Sequence, residues 1–327
     1  MEVINLIRNM LGKRILVIGD LMLDKYVWGT VSRISPEAPV QIVDVSKESY
    51  AIGGAGNTAV NITTLGGEAF IIGVAGDDRS WKMLEEQMKG RRISVSGIIL
   101  SDNNRTTRKV RVMGGKQQLL RFDYECKKFL DEHTENEIIK KIEEVVDDVD
   151  VILISDYAKG IVTQKVIDFV VEVSKRNNKK VVMDPKPLNK VDYNGAYLIT
   201  PNQKEACDLV GWKDCPDDKI GELGNLLKER YGCAVLITRG EKGMVLFEDG
   251  MATNINTIAK DVFDVSGAGD TVVATLGLSL AAGATLQEAA VIANYAAGVV
   301  VGKLGTSTLT AEELENSIKN GKSNISR

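Results

Sequence analysis

The stretch DVFDVSGAGDTVVATLGLSLAAG, residues Asp261 to Gly283, decides the fold. In it a short strand-like segment runs into Ser266-Gly267-Ala268-Gly269-Asp270, where an apolar helix begins. The two glycines allow backbone N–H groups to converge on one point. The start of the helix adds its own unpaired N–H groups and the positive end of its dipole. The stretch therefore predicts an anion-binding site at a strand-to-helix turn.

Asp270 follows that turn directly, and two interpretations fit it. A carboxylate beside an anion hole can take the proton from an attacking hydroxyl while the hole stabilises a phosphoryl group in transfer. An aspartate is also favoured at the start of a helix, where it caps the chain and complements the dipole. Local features favour the two interpretations about equally.

Short apolar runs rich in Val and Ile recur along the chain and alternate with stretches of helical period. Such runs are typical of strands buried on both faces of a parallel sheet, and the alternation predicts a three-layer α/β sandwich. The predicted strands are 14–18, 69–74, 151–154, 180–183, 197–199 and 234–237, and the predicted helices are 135–146, 164–176, 219–231 and 268–282.

Two stretches, 25–50 and 105–124, alternate apolar and polar residues instead. Each predicts antiparallel strands with one wet face, and Gly114-Gly115 stands where a hairpin turn is expected. We expect the two stretches to pair into a small antiparallel β lid over one end of the sandwich. No internal repeat or long linker divides the chain, so a single domain over 1–327 is predicted.

A second glycine cluster, Gly53-Gly54-Ala55-Gly56-Asn57, formally matches the dinucleotide fingerprint G-x-G-x-x-A. The segment before it is alternating and charged, whereas that fingerprint follows a buried first strand, which here ends at Gly19-Asp20. The better interpretation is a flexible turn that lets backbone amides and Asn57 approach a polyhydroxylated ligand closely.

Composition excludes several classes of function. The 327 residues are 44% hydrophobic and 26% charged, with a net charge of −4, which is typical of a globular protein and lacks the positive excess of nucleic-acid grooves. Four cysteines without a CxxC pair, and one histidine, His133, in a stretch that resembles a solvated helix start, make a zinc site or a histidine-based hydrolase improbable. Neither a signal peptide nor an apolar run of 18 residues occurs, so a cytoplasmic protein with reduced thiols and no membrane contact is expected.

Two signatures together resemble those of the ribokinase-like (pfkB) sugar kinases: Gly53-Gly54 with Asn57, and Asp264-Val-Ser-Gly-Ala-Gly-Asp270-Thr. The resemblance covers essentially the whole chain and implies a ribokinase-like α/β/α sandwich. Six further stretches resemble the branch of the family that phosphorylates heptose 7-phosphate. They are Gly19–Asp24, Ser32–Pro39, Gln117–Arg121, Ser155–Gly160, Asp184–Lys186 and Val299–Thr308.

The resemblance implies the roles of several residues around ATP and Mg²⁺. Asp270 would be the catalytic base for the anomeric hydroxyl, with the amides of Gly267, Ala268 and Gly269 as the anion hole. Asn202 and Glu205 match an N-x-x-E element that organises Mg²⁺ and its waters, although Asn202 also satisfies the rules for a helix cap. The implied nucleotide-binding residues are Thr238, Gly240, Gly243 and Asn294.

The resemblance also places Asp20, Gly54 and Asn57 at the positions that bind sugar hydroxyls. A substrate that already carries a phosphate needs cations, so Arg108, Arg121, Lys159 and Lys186 are candidates. Each of these side chains could instead be a solvated surface charge, and alternation does not tell which face Arg108 occupies. Lys186 is favoured because Asp184-Pro185-Lys186-Pro187 is a stiff turn after a buried strand, which gives Asp184 a place at the same site.

The expected activity is ATP-dependent phosphorylation of D-glycero-D-manno-heptose 7-phosphate to the 1,7-bisphosphate on the route to ADP-heptose. Many proteins that resemble this chain continue into a nucleotidyltransferase with an HxGH-type motif; the chain ends at Arg327, so the kinase step alone is expected. The alternatives are another sugar or sugar-phosphate kinase of the same fold, such as a ribokinase or fructokinase, and a silent sugar or nucleotide sensor. A homodimer through the lid strands is also expected.

Overall fold

The computed structural model describes residues 3–115, 117–125, 130–259, 262–303, 305 and 307–325. Cys126 and Asp261, and Leu304 and Thr306 of the stretch 299–308, lie outside the described residues. The strands, in chain order, are β1 (Arg14–Gly19), β2 (Leu21–Ile34), β3 (Gln41–Gly54), β4 (Glu68–Ala75), β5 (Ser94–Leu100), β6 (Thr107–Gly114), β7 (Gln117–Tyr124), β8 (Val151–Ser155), β9 (Lys180–Asp184), β10 (Leu198–Ile199), β11 (Ala234–Thr238), β12 (Met244–Glu248) and β13 (Met251–Ile255).

The helices of the described chain alternate with these strands. They are α1 (Val3–Arg8), α2 (Ala55–Thr64), α3 (Arg79–Gly90), α4 (Glu132–Val145), α5 (Gln164–Arg176), α6 (Gln203–Val210), α7 (Ile220–Tyr231), α8 (Ala268–Ala281), α9 (Leu286–Val301) and α10 (Ala311–Ile325). None of the described helices is long and apolar enough to cross a membrane. His133 lies in the first turn of α4 with an exposed side chain, as the sequence predicts.

The main sheet of the described residues has nine strands in the order β13-β12-β11-β10-β9-β8-β1-β4-β5. Seven neighbouring strands of this sheet are parallel: β11, β10, β9, β8, β1, β4 and β5. At one edge β12 and β13 form an antiparallel hairpin, and β12 pairs antiparallel with β11. Every strand predicted from an apolar run belongs to this sheet. The carboxyl ends of its parallel strands therefore meet at one edge, where open α/β sheets bind ligands.

Two apolar cores lie on opposite faces of the main sheet, because successive side chains of a strand point to opposite faces. Ile15 and Val17 of β1 belong to the core under α2, α3 and α8 to α10. Leu16 and Ile18 belong to the core under α4 to α7. The predicted three-layer sandwich is confirmed.

The second sheet is the lid, with the strand order β3-β2-β6-β7. The two alternating stretches pair as predicted, each as an antiparallel hairpin. One ladder differs from the expected antiparallel arrangement, since β2 and β6 run parallel. Both strands leave the same edge of the parallel sheet, β2 directly after β1 and β6 after β5, and so they leave it in the same direction.

Candidate active site

The start of α8 lies at the carboxyl edge of the main sheet. Gly267 caps it with φ of +80°, a left-handed conformation that favours glycine. The amide of Ala268 donates to the carbonyl of Val265 at 3.2 Å, so the Ala268 amide predicted for the anion hole is engaged in the turn itself. A Cβ on Gly269 would meet no atom within 4 Å, so this part of the helix start faces open space.

Asp270 is buried in the first turn of α8 and accepts three side-chain hydrogen bonds. Asn57 Nδ2 donates to Oδ2 at 2.7 Å, and Tyr157 OH and Thr58 Oγ1 donate to Oδ1 at 2.5 and 3.3 Å. Burial raises the pKa of Asp270, while the three donors lower it by stabilising the charged form. The arrangement holds a carboxylate of raised basicity in a fixed orientation, as a general base requires.

A cavity of about 180 Å³ lies in front of Asp270, and negative charge is concentrated around it. Asp184 is partly buried there, and desolvation together with the charges of Glu205 and Asp270 holds its pKa well above the usual value. Lys186 also lines this cavity, with Nζ 2.6 Å from Glu205 Oε1. A bound cation would relieve the repulsion among these carboxylates.

Asn202 and Glu205 occupy the start of α6 and form a complete capping box. Asn202 Oδ1 accepts from the Glu205 amide at 2.9 Å, and Glu205 Oε2 accepts from the Asn202 amide at 3.0 Å. Both side chains also line the cavity in front of Asp270, so the capping role and the predicted metal role are compatible. The oxygen-rich donor set fits Mg²⁺, which keeps several waters in its shell. Within the described chain no three acidic, histidine or cysteine side chains group tightly enough to hold a metal alone.

A larger cavity of about 560 Å³ opens on the other side of the α8 start. It shares Thr238, Gly269 and Val272 with the smaller cavity, so the two meet where the helix begins. The predicted nucleotide-binding residues Thr238, Gly240, Gly243 and Asn294 all line it. Much of its remaining lining is apolar, which suits the flat base of a nucleotide. The apolar lining residues are Met244, Val262, Val265, Ala268, Val272, Ala297 and Val301.

Local structure explains the residue type at two positions of this lining, Gly243 and Asn294. Gly243 has φ of +78°, and a Cβ there would lie 2.1 Å from the carbonyl oxygen of Ile255, so the backbone approach requires glycine. Asn294 is buried in α9 and donates from Nδ2 to the carbonyl of Asn256 at 2.8 Å. That bond ties α9 to the segment after β13 and fixes one wall of the larger cavity.

Asp20 joins β1 to β2, and backbone amides occupy three of the roughly four acceptor sites of its carboxylate. Its carboxylate accepts from the backbone amides of Tyr157, Lys159 and Ile161 at 2.9, 3.1 and 3.2 Å. The sequence assigns Asp20 to the substrate, and that assignment stays a prediction; in the structure the same carboxylate fastens the segment 157–161 to the end of β1. Gly54 has φ of +60°, and its Cβ would lie 2.3 Å from the Asp20 carbonyl, so this turn approaches the protein's own backbone closely.

Asp24 lies on β2, four residues after Asp20, and the sequence analysis does not name it as a site residue. It shares a lid face with Lys109 and Arg111, which lie next to it on β6 in register. Arg111 Nη1 is 2.6 Å from Asp24 Oδ1, and Lys109 Nζ lies 5.7 Å from the centre of the Tyr157 ring. Because Tyr157 touches Asp270, this lid face covers the base.

The four predicted phosphate-binding cations are not all on that face. Arg108 belongs to the opposite face, stacked 4.2 Å over the Tyr124 ring. Arg121 lies across from Arg111 and pairs with Asp123 at 2.9 Å. Lys159 Nζ pairs with Glu125 at 2.7 Å. Lys186, as described above, lies apart from the lid, beside Asn202 and Glu205.

Comparison with known proteins agrees with this architecture. A family model described as pfkB family carbohydrate kinase matches residues 13–313. A protein named Bifunctional protein HldE from Geobacter metallireducens is 44% identical over 305 residues, which are 93% of this chain and 62% of that one. The protein of the same name from Helicobacter hepaticus is 42% identical over 313 residues, 95% of this chain and 65% of that one. The chain thus spans somewhat under two thirds of the length of these relatives.

A solved structure shows the same fold at low identity. The crystal structure of phosphofructokinase-2 from Escherichia coli in complex with potassium superposes with a TM-score of 0.78 and 19% identity, covering 94% of this chain and 98% of that one. The family match over residues 13–313 establishes the family of this chain, and the geometry of the site agrees with it. This chain belongs to the pfkB family and is a carbohydrate kinase.

Proposed function

We propose that the protein transfers the γ-phosphoryl group of ATP to the anomeric hydroxyl of D-glycero-D-manno-heptose 7-phosphate, giving the 1,7-bisphosphate on the route to ADP-heptose. The observation that carries this proposal is a buried, hydrogen-bonded Asp270 between two cavities, next to a lid face that bears the cations Lys109 and Arg111. The resemblance of six stretches to heptose 7-phosphate kinases, and the close relatives, supply the choice of sugar.

The chemistry follows from the placement of Asp270 and the helix start. The carboxylate of Asp270 takes the proton of the anomeric hydroxyl as its oxygen attacks phosphorus. The N-terminal amides of α8 around Gly267 and Gly269 stabilise the negative charge that builds on the phosphoryl oxygens. Mg²⁺, organised by Asn202 and Glu205 with Asp184 close by, would supply charge neutralisation at the ATP phosphates.

We assign Lys186 to the ATP phosphates and not to the sugar. Its Nζ pairs with Glu205 in the cavity that Asn202, Thr238 and Gly269 also line, and that cavity opens into the larger one. A cation there meets the transferring phosphoryl group and not a phosphate at the far end of the sugar. Burial already opposes the charged form of this lysine, but Glu205 more than compensates, and the pKa of Lys186 is raised.

We assign the sugar's 7-phosphate to Lys109, with Arg111, Arg121 and Lys159 around it. Burial lowers the pKa of Lys109, and the neighbouring positive charges of Lys159 and Arg121 lower it further. Asp24 and Asp123 offset only part of this effect. A phosphate dianion between these cations would relieve their repulsion and bring its far-end binding energy to the positioning of C1 against Asp270.

The test compares heptose 7-phosphate with unphosphorylated heptose, using coupled detection of ADP and phosphorus NMR to locate the new phosphate. We expect phosphorylation at C1 and a kcat/KM for plain heptose at least about a hundredfold lower, since two or more charge-assisted hydrogen bonds are lost. Lys109→Met should lower kcat/KM about tenfold or more with the phosphorylated sugar and hardly at all with the plain one. Lys47→Met, which removes an exposed cation from the middle of β3 in the same lid, is the control.

The alternatives predict different results. Comparable kcat/KM for the two heptoses would reject the phosphate site and leave a generic sugar kinase of this family. A higher kcat/KM for fructose 6-phosphate or ribose in the same assay would reject the choice of heptose. Tight sugar binding without ADP release would indicate a sensor.

We place the reaction in the cytoplasm, where ATP is available and thiols stay reduced. Cys207, Cys215 and Cys233 are buried free thiols, which is compatible with that compartment. Partition of the protein with a cytoplasmic marker after cell fractionation would test the assignment.

A further inference from the structure

We propose that Tyr157 is a positioning residue for the base: with Thr58 it occupies Oδ1 of Asp270, so that Oδ2 is the oxygen that accepts the proton of the sugar hydroxyl. The inference rests on the proposed function, because it refines how the base of that reaction works. Tyr157 lies just after β8, far in sequence from the motif around Asp270.

The argument begins with the lone pairs of the carboxylate. Each oxygen of a carboxylate has about two acceptor sites. Oδ1 receives Tyr157 OH at 2.5 Å and Thr58 Oγ1 at 3.3 Å, and both of its sites are filled. Oδ2 receives Asn57 Nδ2 at 2.7 Å among the described residues, and one site remains. A sugar hydroxyl can therefore donate to Oδ2 while the three protein bonds stay in place.

The proton transfer is then confined to one atom. The O–H bond of the sugar breaks and its proton goes to Oδ2, while the freed electron pair of that oxygen forms the new bond to the γ-phosphorus. The bond between this phosphorus and the bridging oxygen breaks, and its electron pair leaves with ADP. The hydroxyl proton of Tyr157 remains on the tyrosine, since burial and the adjacent Asp270 hold the pKa of Tyr157 well above its usual value.

The backbone on both sides of Tyr157 is fastened. The carboxylate of Asp20 accepts the amides of Tyr157, Lys159 and Ile161. Asp156 accepts the amide of Ala158 at 2.7 Å, and Ala158 has φ of +54°. A non-glycine residue in that region is strained and persists only where the surroundings over-determine it. The segment is thus built to hold the tyrosine hydroxyl in one place.

Several charged and polar groups face Asp270 and together set its titration. They are Asn57 and Thr58 of α2, Tyr157 after β8, Asp24 of β2, Asp184 at the end of β9, and Lys186 beyond it in the shared cavity. Burial and Asp24 oppose ionisation, and the three hydrogen-bond donors favour it. Removing the tyrosine hydroxyl therefore raises the pKa at which Asp270 becomes a competent base.

The first test is the pH dependence of kcat/KM for Tyr157→Phe, with whichever sugar the wild-type protein phosphorylates. We expect the acid limb to move up by about one pH unit, and kcat on the plateau to fall about tenfold because the carboxylate is less well oriented. Tyr231→Phe removes the hydroxyl of a buried tyrosine away from the site and should leave the limb unchanged. An unmoved limb in Tyr157→Phe, or a higher kcat, which would show the tyrosine competing with the sugar, would overturn the proposal.

The second test needs no turnover and separates this inference from the proposed function. The Asp270 carboxyl is titrated by carbon-13 NMR in ligand-free protein, with its signal assigned by comparison with Asp270→Asn. Its pKa should rise in Tyr157→Phe and, by less, in Thr58→Val, which also serves if the first variant fails to fold. An unchanged pKa in a folded variant overturns the inference even if the kinase is active. If the wild type phosphorylates no sugar but the pKa rises, the proposed function fails while the role of the tyrosine stands.

Discussion

Asp20 and Asp270 are both buried aspartates at the carboxyl edge of the main sheet, but their partners differ. Asp20 accepts three backbone amides, which come from a segment it holds in place. Asp270 accepts from three side chains and faces a cavity. Burial raises the pKa of both carboxyls. The two carboxylates therefore differ in the nature of their donors and in the size of the cavity beside them, about 180 Å³ at Asp270 and about 30 Å³ at Asp20.

We expect Asp270→Asn to lower the turnover number by roughly 10² to 10⁴, because it removes the proton acceptor and keeps the shape of the side chain. ATP affinity, measured by calorimetry, should change little, since the larger cavity is untouched. Asp168→Asn on the exposed face of α5 is the matched control. Retention of more than about a tenth of wild-type ADP production would leave Asp270 as a helix-start residue only.

Asp156 predicts a pH-dependent stability. Burial raises its pKa from 3.8 to about 6 in the folded protein. Between these values the folded state binds more protons than the unfolded state, so the free energy of unfolding falls as pH rises from about 4 to 6 and levels off above. The slope from this group is at most about 1.4 kcal/mol per pH unit.

Urea unfolding of the wild type and of Asp156→Asn across this range isolates the contribution of Asp156. Asp20, Asp184 and Asp270 also have raised pKa values and act in the same direction in both proteins. The curve of the variant should therefore be flatter than that of the wild type. Parallel curves would show that Asp156 ionises normally.

At the scale of helices and strands, the sequence predicts the elements whose apolar pattern is regular and misses elements whose pattern is interrupted. Helix α5 is predicted residue for residue, because its apolar face and its flanking Thr163 and Asn177 agree. Strand β5 is missed, since Ser94, Ser96 and Gly97 interrupt its apolar run.

The candidate site divides in the same way. The motif before α8 identifies Asp270 and the helix start without any tertiary information. Arg108 and Lys109 are neighbours in sequence, and the pairing of β6 with β2 decides which of them shares a face with Asp24 and lies near Tyr157. Tyr157 lacked any local signal, because its partner is 113 residues away.

The start of α8 can be tested by adding bulk to it. A side chain at Gly269 meets open space in the protein, so Gly269→Val should fold, but it projects into the junction of the two cavities. We expect kcat/KM for ATP to fall about a hundredfold or more, as when one oxyanion donor is lost. The melting temperature should resemble that of Gly90→Val, which adds the same side chain at an open position near the end of α3. Normal kinetics for Gly269→Val would remove this helix start from the mechanism.

For the whole molecule, the lid leaves a large apolar surface exposed. Several apolar side chains of the lid are exposed. They are Val31 and Ile34 of β2, Val40 just before β3, Val45 of β3, and Leu120 and Phe122 of β7. A sheet of four strands has two edges, and unprotected edges and apolar faces invite pairing with another chain. We therefore propose that the protein is a homodimer through the lid.

Sedimentation equilibrium at micromolar concentration should give twice the monomer mass. A double substitution, Val31→Glu with Leu120→Glu, should shift the protein towards monomer by placing charge in the apolar surface. Leu11→Glu, at an exposed apolar position before β1, should leave the mass unchanged. A wild-type monomer at this concentration would contradict the proposal.

One residue, Asp20, separates β1 from β2, and β3 continues into α2 without any linker. The β2–β3 hairpin therefore has no slack where it joins β1 and α2, so it cannot rotate there as a rigid body about a flexible linker. Any movement of this hairpin towards the main sheet is therefore a bend distributed along its two 14-residue strands. The register shifts at Trp28/Gly29 and Val31/Arg33 are the points where the hairpin bends most easily. The end of the hairpin that joins the main sheet carries Asp24, which lies in register with Lys109 of β6, so these two side chains stand where the hairpin moves least.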